Sequence, residues 1–550
     1  MPDKDPFSYT IDDSDYTSYS RPSVILRQYW LSQLLLYGLH SALGWYGIIL
    51  FRYVIYSALL ALLYSWMREK NVNRISALFF LLPVFLLVLA YGGERPNTLS
   101  YLFAALLFYL TDKFILTDDK KGFLLPAVML VWSLMHGGFL LGEVLLSIYF
   151  MVTLFRGIKG HATGRAYVFK LSVLLLSVAA PFLFSGDAWH TAQMMMHETS
   201  GPLAALYKNS IAETISPFTN AGANIDLVAY LAFIILLLIV VIRHFPLEHM
   251  LLAAFLLALS FTSIRYLPFF LIMASPMAAF HWSARPSFDL TNKVFRISIY
   301  ATILFCTIFM GQAGARKSFF LEGLLSKYYP GDAVSFLKTA KPEGNMFNSY
   351  TWGGYLIYEL YPDRKVFIDP RALSLSLYAK YRDVLDVTAK KTEHTWRDVF
   401  EGYHISVVLI PPYNVIDGKV TMLIKKLVDD PEWHLVFLGE RSGALIFLKN
   451  DSGNDRQIGH YSLRKEAAFE HVLEELKKDS GKNSSWRKDL QIAVVSLFLK
   501  RYEEAEHHLE RARGRNHSLS GTSVDKVLTV LRKNDYGQLD AEDLYKIYGL

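Results

Sequence analysis

The chain has 550 residues, 52% of them hydrophobic and 15% aromatic, with a mean hydropathy of +0.24 and a net charge of +6. That is too apolar for an ordinary soluble protein, and the apolar runs crowd into the first three-fifths, so the composition describes a membrane domain followed by a soluble part. The charge forms no dense basic stripe in the polar part and fits anchoring loops better than nucleic-acid binding, and the single cysteine, Cys306, excludes an intrachain disulfide and sits in no metal-ligand spacing.

Residues 1–28 are polar, rich in Ser, Tyr and Asp, and acidic at the start. Residues 29–312 read as a polytopic transmembrane domain. Gln28–Leu43 is short and amphipathic, whereas Trp45–Trp66 is long enough to span a bilayer and carries Arg52 within it. Ala77–Tyr91 and Leu99–Thr111 flank the turn GGERPN. Gly122–Phe155 as one helix would run on the order of 50 Å, against about 30 Å of hydrocarbon, so the pattern predicts a hairpin with its apex at His136-Gly137-Gly138. Val168–Phe184 leads to a long outer stretch, Ile225–Ile242 returns, Met250–Trp282 forms a second hairpin with Arg265 near its apex, and Ile297–Met310 crosses last. The total is roughly nine to eleven membrane segments.

Lys and Arg collect in Met67–Arg74, Lys113–Lys121, Arg156–Lys170, Arg243–His244 and Arg285–Arg296, which the positive-inside rule makes cytoplasmic. The alternate turns, Gly92–Asn97, Met135–Gly138, Ser185–Asp226 and Ser263–Tyr266, then lie outside. Titratable and hydrogen-bonding side chains are costly near a bilayer and recur on that one face, which is the layout of a membrane-embedded site open to the outside.

Residues 313–450 change to a soluble α/β pattern. Helices are predicted at Ala333–Thr339, Tyr355–Tyr361 and Val420–Val428, strands at Asn345–Phe347, Lys365–Ile368 and Ser406–Ile410, and a closing hairpin at Trp433–Phe437 with Ala444–Leu448. Residues 451–550 read as helical. Leu497, Tyr502, Ala505, Leu509 and Ala512 fall at the spacing of a tetratricopeptide-like helix pair, a cap or a protein-docking end.

The strings DPFSYT at Asp5–Thr10, WLSQLLLYGLH at Trp30–His40, ERPNTLSYL at Glu94–Leu102, WSLMHGGFLLG at Trp132–Gly142, IAETISP at Ile211–Pro217, SIRYLPFF at Ser263–Phe270 and NSYTWGGYLIYEL…KVFIDPRA within Asn348–Ala372 stand in this order. Together they resemble the bacterial GT-C superfamily of polytopic membrane glycosyltransferases, similar in general plan to protein mannosyltransferases. The resemblance implies a GT-C-like helical bundle followed by a periplasmic or extracellular α/β domain, in the bacterial inner membrane. It implies transfer of a sugar from a polyprenyl-phosphate donor to a glycan or protein acceptor at the outer face. It leaves metal dependence open, a divalent cation included, and no metal ligands are assigned. In that family the catalytic acid lies in the first external loop, after a first transmembrane helix. The chain opens inside that loop, so a late-assigned start or a truncated gene is expected, with Asp5 as what remains of the loop.

The expected catalytic residues are Asp5 and Glu213, and the expected substrate-binding residues are Glu94, Arg95, His136 and Arg265. A carboxylate takes the acceptor proton, and guanidinium forks hold the departing phosphate. Each has a structural alternative: Arg95 and Arg265 as headgroup anchors or partners of Glu94 or Glu213, and His136 as a satisfied turn residue. Glu143 is expected to pair with an arginine such as Arg52 or to form part of the site. His190, His197 and Glu198 fit solvent-exposed loop residues better than metal ligands, and Asp369-Pro370-Arg371 fits a fixed turn better than a binding loop. The competing function is a non-catalytic GT-C-like scaffold for envelope assembly. A transporter is the weaker third, because no inverted repeat is visible.

Overall fold

The computed structural model describes residues 4–16, 20–91, 95–117, 120–161, 163–198, 216–217, 245–283, 329–385, 395–414, 419–451, 453–478, 485–539 and 547. The chain is mostly helical with one small mixed sheet. It forms two units: Tyr16–Lys317 belongs to the first, and Asp5–Asp15 joins Ser318–Leu550 in the second.

The first unit contains helices α1 (Arg21–Arg27), α2 (Trp30–Leu43), α3 (Trp45–Glu69), α4 (Arg74–Tyr91), α5 (Asn97–Thr117), α6 (Leu125–Met135), α7 (Phe139–Ile158), α8 (Arg165–Phe184), α9 (Gly186–Glu198), α10 (Leu247–Thr262) and α11 (Leu267–Ser283). Among the described residues, α3, α5, α7 and α8 are the four long and apolar enough to cross a membrane. At 1.5 Å per residue their 20 to 25 residues reach about 30 Å or more. They differ in place. Two-thirds of the apolar window of α5 is buried by protein, against 28% for α8, so α5 is the inner helix and α8 an outer one. The core around α5 is aromatic: Trp66 meets Phe108 and Phe280 edge-on, each with ring centroids 4.9 Å apart.

Both predicted apices break the helical run. His136–Gly138 separates α6 from α7, and Ser263–Tyr266 separates α10 from α11. The outer stretch begins with a helix, α9. Apart from Ser216 and Pro217, the remainder of that stretch, the crossings expected at Ile225–Ile242 and Ile297–Met310, and Glu94 and Glu213 lie outside the described residues.

The second unit contains α12 (Gly331–Ala340), β1 (Asn345–Asn348), α13 (Gly353–Leu360), α14 (Leu375–Leu385), α15 (Trp396–Gly402), β2 (Ile405–Ile410), α16 (Met422–Asp429), β3 (Trp433–Leu438) and β4 (Leu445–Lys449). The sheet order is β1-β2-β4-β3, with β1 parallel to β2 and the other pairs antiparallel. The run SVVLI is buried at Val407–Ile410, as a strand covered on both faces must be. Thr395 and Asp398 close a capping box that starts α15.

Lys365–Ile368 departs from expectation. Only Val366 makes a bridge, parallel to Ser8, because the Asn348 amide does the work of a ladder on the β1 side: Phe367 N donates to Asn348 Oδ1 at 2.8 Å and Asn348 Nδ2 donates to the Ile368 carbonyl at 2.8 Å. On the other side Val366 N donates to the Phe7 carbonyl, and Tyr9 N to the Val366 carbonyl. Residues near the start of the chain thus complete this unit.

Helices α17 (Asp455–Tyr461), α18 (Ala467–Lys478), α19 (Trp486–Phe498), α20 (Tyr502–Arg515) and α21 (Ser523–Arg532) follow. α19 is buried from Asp489 through Leu497, covered by α18 and α20. Val420 N donates to Gln491 Oε1 at 3.0 Å, which ties α19 to the segment entering α16. A lone helix pair would leave one face bare, and here the α/β part takes the place of a neighbouring repeat.

Candidate functional site

In the first unit, the start of α5, the α6–α7 break and the residue before α2 converge on His136. Gly138 N donates to His136 Nδ1 at 3.0 Å, so that nitrogen carries no proton. The Ser100 hydroxyl, 2.7 Å away, is therefore also a donor to Nδ1, and it accepts from Trp132 Nε1 at 2.8 Å. The relay Trp132 to Ser100 to His136 fixes a neutral imidazole with its proton on Nε2. Tyr29, in the left-handed region at φ 67°, stacks on the ring at a centroid distance of 4.9 Å. Gly138 is required here: a Cβ would come 2.5 Å from Ser100 Oγ and 2.9 Å from His136 Nδ1. The Arg265 guanidinium, from the α10–α11 break, lies near enough for its charge to act on the His136 ring.

Of the expected substrate-binding residues, Arg265 is within electrostatic range of His136. Arg95 stands two residues before α5, in the turn where Thr98 N donates to its carbonyl, four residues ahead of Leu99 and at the same end of α5 as Ser100. Glu143 is buried in α7, and neither carboxylate oxygen has a hydrogen-bond partner. The pairing with Arg52 is not seen; the Arg52 guanidinium sits 5.3 Å from the Tyr53 ring centroid. His190 lies half-buried on α9 rather than in a loop.

The sequence reading misses a second polar cluster in this unit. Asp112 of α5, fully buried, meets His249 Nε2 at 2.7 Å and Lys70 at 3.5 Å, while Glu248 is held by both terminal nitrogens of Arg156 at 3.2 and 2.7 Å. Lys70, just past α3, and Arg156 lie against the two carboxylates, so the cluster fastens the end of α3 to α5, α7 and α10. The missed signal was Asp112 itself, one residue beyond where the apolar run was ended, since an ionisable group within a span needs a partner.

Asp5 lies in the second unit. Arg371 donates from NH1 and NH2 to the two Asp5 oxygens at 2.9 and 3.1 Å, and from Nε and NH2 to the two Asp369 oxygens at 2.8 Å each. Burial of the guanidinium works against its charge, but its bonds to Asp369 and Asp5 outweigh that and make Arg371 a weaker acid than an ordinary arginine. Ser8 N donates to Asp5 Oδ2 at 3.0 Å, and Thr10 Oγ1 to the Phe367 carbonyl at 2.7 Å. Gly353 lets α13 start directly against this segment, because a Cβ there would overlap the Ile368 carbonyl and Asp369. The strings around WGGY and IDPRA therefore build a clasp for residues 5–10.

A shallow cleft of about 250 Å³ lies beside α15 and β3, lined by Trp396, Arg397, Phe400 and Trp433. The tryptophan and phenylalanine faces are buried, and Arg397 is paired with Asp430, which leaves no stacking platform. Among the described residues no group of three or more His, Cys, Asp or Glu comes together as a metal site. Comparison with protein-family models and with curated proteins found no match to either.

Proposed function

We propose that the chain is a polytopic membrane glycosyltransferase, of GT-C-like plan, that transfers a sugar from a polyprenyl-phosphate donor to a glycan or protein acceptor at the outer face of a bacterial inner membrane. The observation that carries this reading is His136: a neutral ring held with Nε2–H as its remaining donor, with the Arg265 charge acting on it, at the ends of apolar helices. A fixed N–H donor and a guanidinium suit the non-bridging oxygens of a phosphate, whose charge grows as the sugar leaves. Arg95, entering α5 at the same end, adds a second guanidinium to that reading. The second unit and residues 1–28 face the periplasm, the membrane domain contributes roughly nine to eleven segments, and the helical end after residue 450 offers a protein-docking surface.

The test is transfer from a radiolabelled polyprenyl-phosphate sugar by the full chain in nanodiscs. His136→Ala and Arg265→Ala are each expected to lower turnover on the order of 10²-fold, as loss of one preorganised donor does. Turnover unchanged in both variants would remove the assignment.

One observation favours the scaffold as a second reading. Both oxygens of Asp5 are engaged by Arg371, so this carboxylate is fixed in the clasp of the second unit. On that reading the wild-type chain shows no transfer from any lipid-phosphate sugar.

A further inference from the structure

α9 follows α8 after the break at Ser185, yet its 13 residues reach only about 20 Å, too short to cross. Its faces differ. Ala188, Thr191 and Ala192 are buried, and Thr191 lies against the apex beside His136: a Cβ on Gly137 would meet its methyl at 3.5 Å and the Tyr29 hydroxyl at 3.0 Å. Trp189, Gln193 and Met196 fall at i, i+4 and i+7 on another face, where Trp189 is 58% and Met196 73% exposed. That apolar face is continued by Leu183 and Phe184 at the end of α8, 66% and 70% exposed.

We infer that α9 lies in the plane of the membrane interface, with Trp189 and Met196 in the boundary between headgroups and acyl chains and its small-residue face roofing the His136 apex. Three features select lipid as the occupant of the exposed face. The helix leaves directly from an apolar helix of spanning length whose own last residues are bare. A tryptophan leads the face, the residue that favours headgroup depth. The remaining surface carries Asp187 and His190, so the helix is amphipathic rather than apolar all round. The site at His136 therefore opens at headgroup depth, where a membrane-borne phosphate would present itself. That last step rests on the proposed function, whereas the placement of α9 rests only on α8 being a span.

The experiment uses the full chain with Cys306→Ser, carrying a single environment-sensitive fluorophore at Trp189→Cys or, separately, at Met196→Cys, in nanodiscs of phosphatidylcholine and phosphatidylglycerol. Expected is strong quenching by a nitroxide on the acyl chain just below the glycerol, at least about twofold above that by a nitroxide near the chain end, and little quenching by aqueous iodide. Strong iodide quenching would overturn the inference in favour of a solvent-exposed helix. Protection from iodide and from both nitroxides would overturn it in favour of a protein partner or second copy on this face. The transfer assay on the same nanodiscs separates the two readings: shallow quenching without transfer leaves α9 in the interface and discards the proposed chemistry.

Discussion

Replacing Arg371 by alanine should unfasten the start of the chain from the second unit. The guanidinium makes four hydrogen bonds to two carboxylates, and the side chains of Asp5 and Asp369 are 0% and 4% exposed. Without it, two buried negative charges face each other across the space it filled. Removing one partner of a buried ion pair costs about 3–5 kcal/mol, and because Arg371 is itself 27% exposed, water relieves part of that, which points to about 3 kcal/mol. That is roughly a hundredfold in the opening equilibrium. Hydrogen exchange read by mass spectrometry on peptides covering residues 4–16 and 362–372 reports it directly, since Tyr9 N and Val366 N are bonded only while the clasp is closed. Exchange should accelerate toward that factor in both peptides and stay unchanged in α5 and α7. Arg371→Lys should fall between, because an ammonium cannot present two edges at once. Unaltered protection of both peptides in a folded Arg371→Ala chain would refute the reasoning.

Three further outcomes are expected. Gly353→Ala forces a Cβ into the backbone at Ile368 and Asp369, which cannot yield as a side-chain end can, and should lower the stability of the second unit by about 3 kcal/mol, the upper end for overpacking, measured by thermal melting. Ser100→Ala strands the buried Trp132 Nε1–H and should cost about 1–3 kcal/mol, with Ser100→Thr restoring most of it because the hydroxyl returns; tryptophan-fluorescence melts compare the three. Burial, opposed by Asp489 at 2.9 Å and reinforced by Arg511 and His507, holds the His508 imidazole below its ordinary range. The folded state then binds fewer protons than the unfolded one, so this contribution to stability is present above about pH 6.5 and lost as pH falls below it. Proteolysis of α18–α21 should accelerate between about pH 7.5 and about pH 5.5, and His508→Asn should flatten that dependence.

The parts that could be read from the chain are those governed by local pattern. SVVLI announces a buried strand, and the 34-residue run around His136-Gly137-Gly138 is too long for one crossing, so length alone demands the break that separates α6 from α7. The partners of His136 could not be read in the same way. Ser100 comes from α5 and Tyr29 from the turn before α2, and although Ser100 falls in the string ERPNTLSYL, nothing local shows that either meets His136. The same holds for Arg371 and Asp5, which are 366 residues apart. Lys365–Ile368 has the composition of a strand, but composition does not reveal that a side-chain amide, Asn348, would stand where the ladder was expected. Asp112 is legible too, since a carboxylate at the end of an apolar run requires a buried partner.

The clasp around Arg371 also orders events in time. Residues 5–10 leave the ribosome before the helices of the first unit, whereas their partners at Val366–Arg371 follow only after those helices have been made. Until then the opening segment has no fold to join, and closing so long a loop carries an entropic cost that only the assembled clasp repays. Two segments that finish as one folded body must also end in the same compartment.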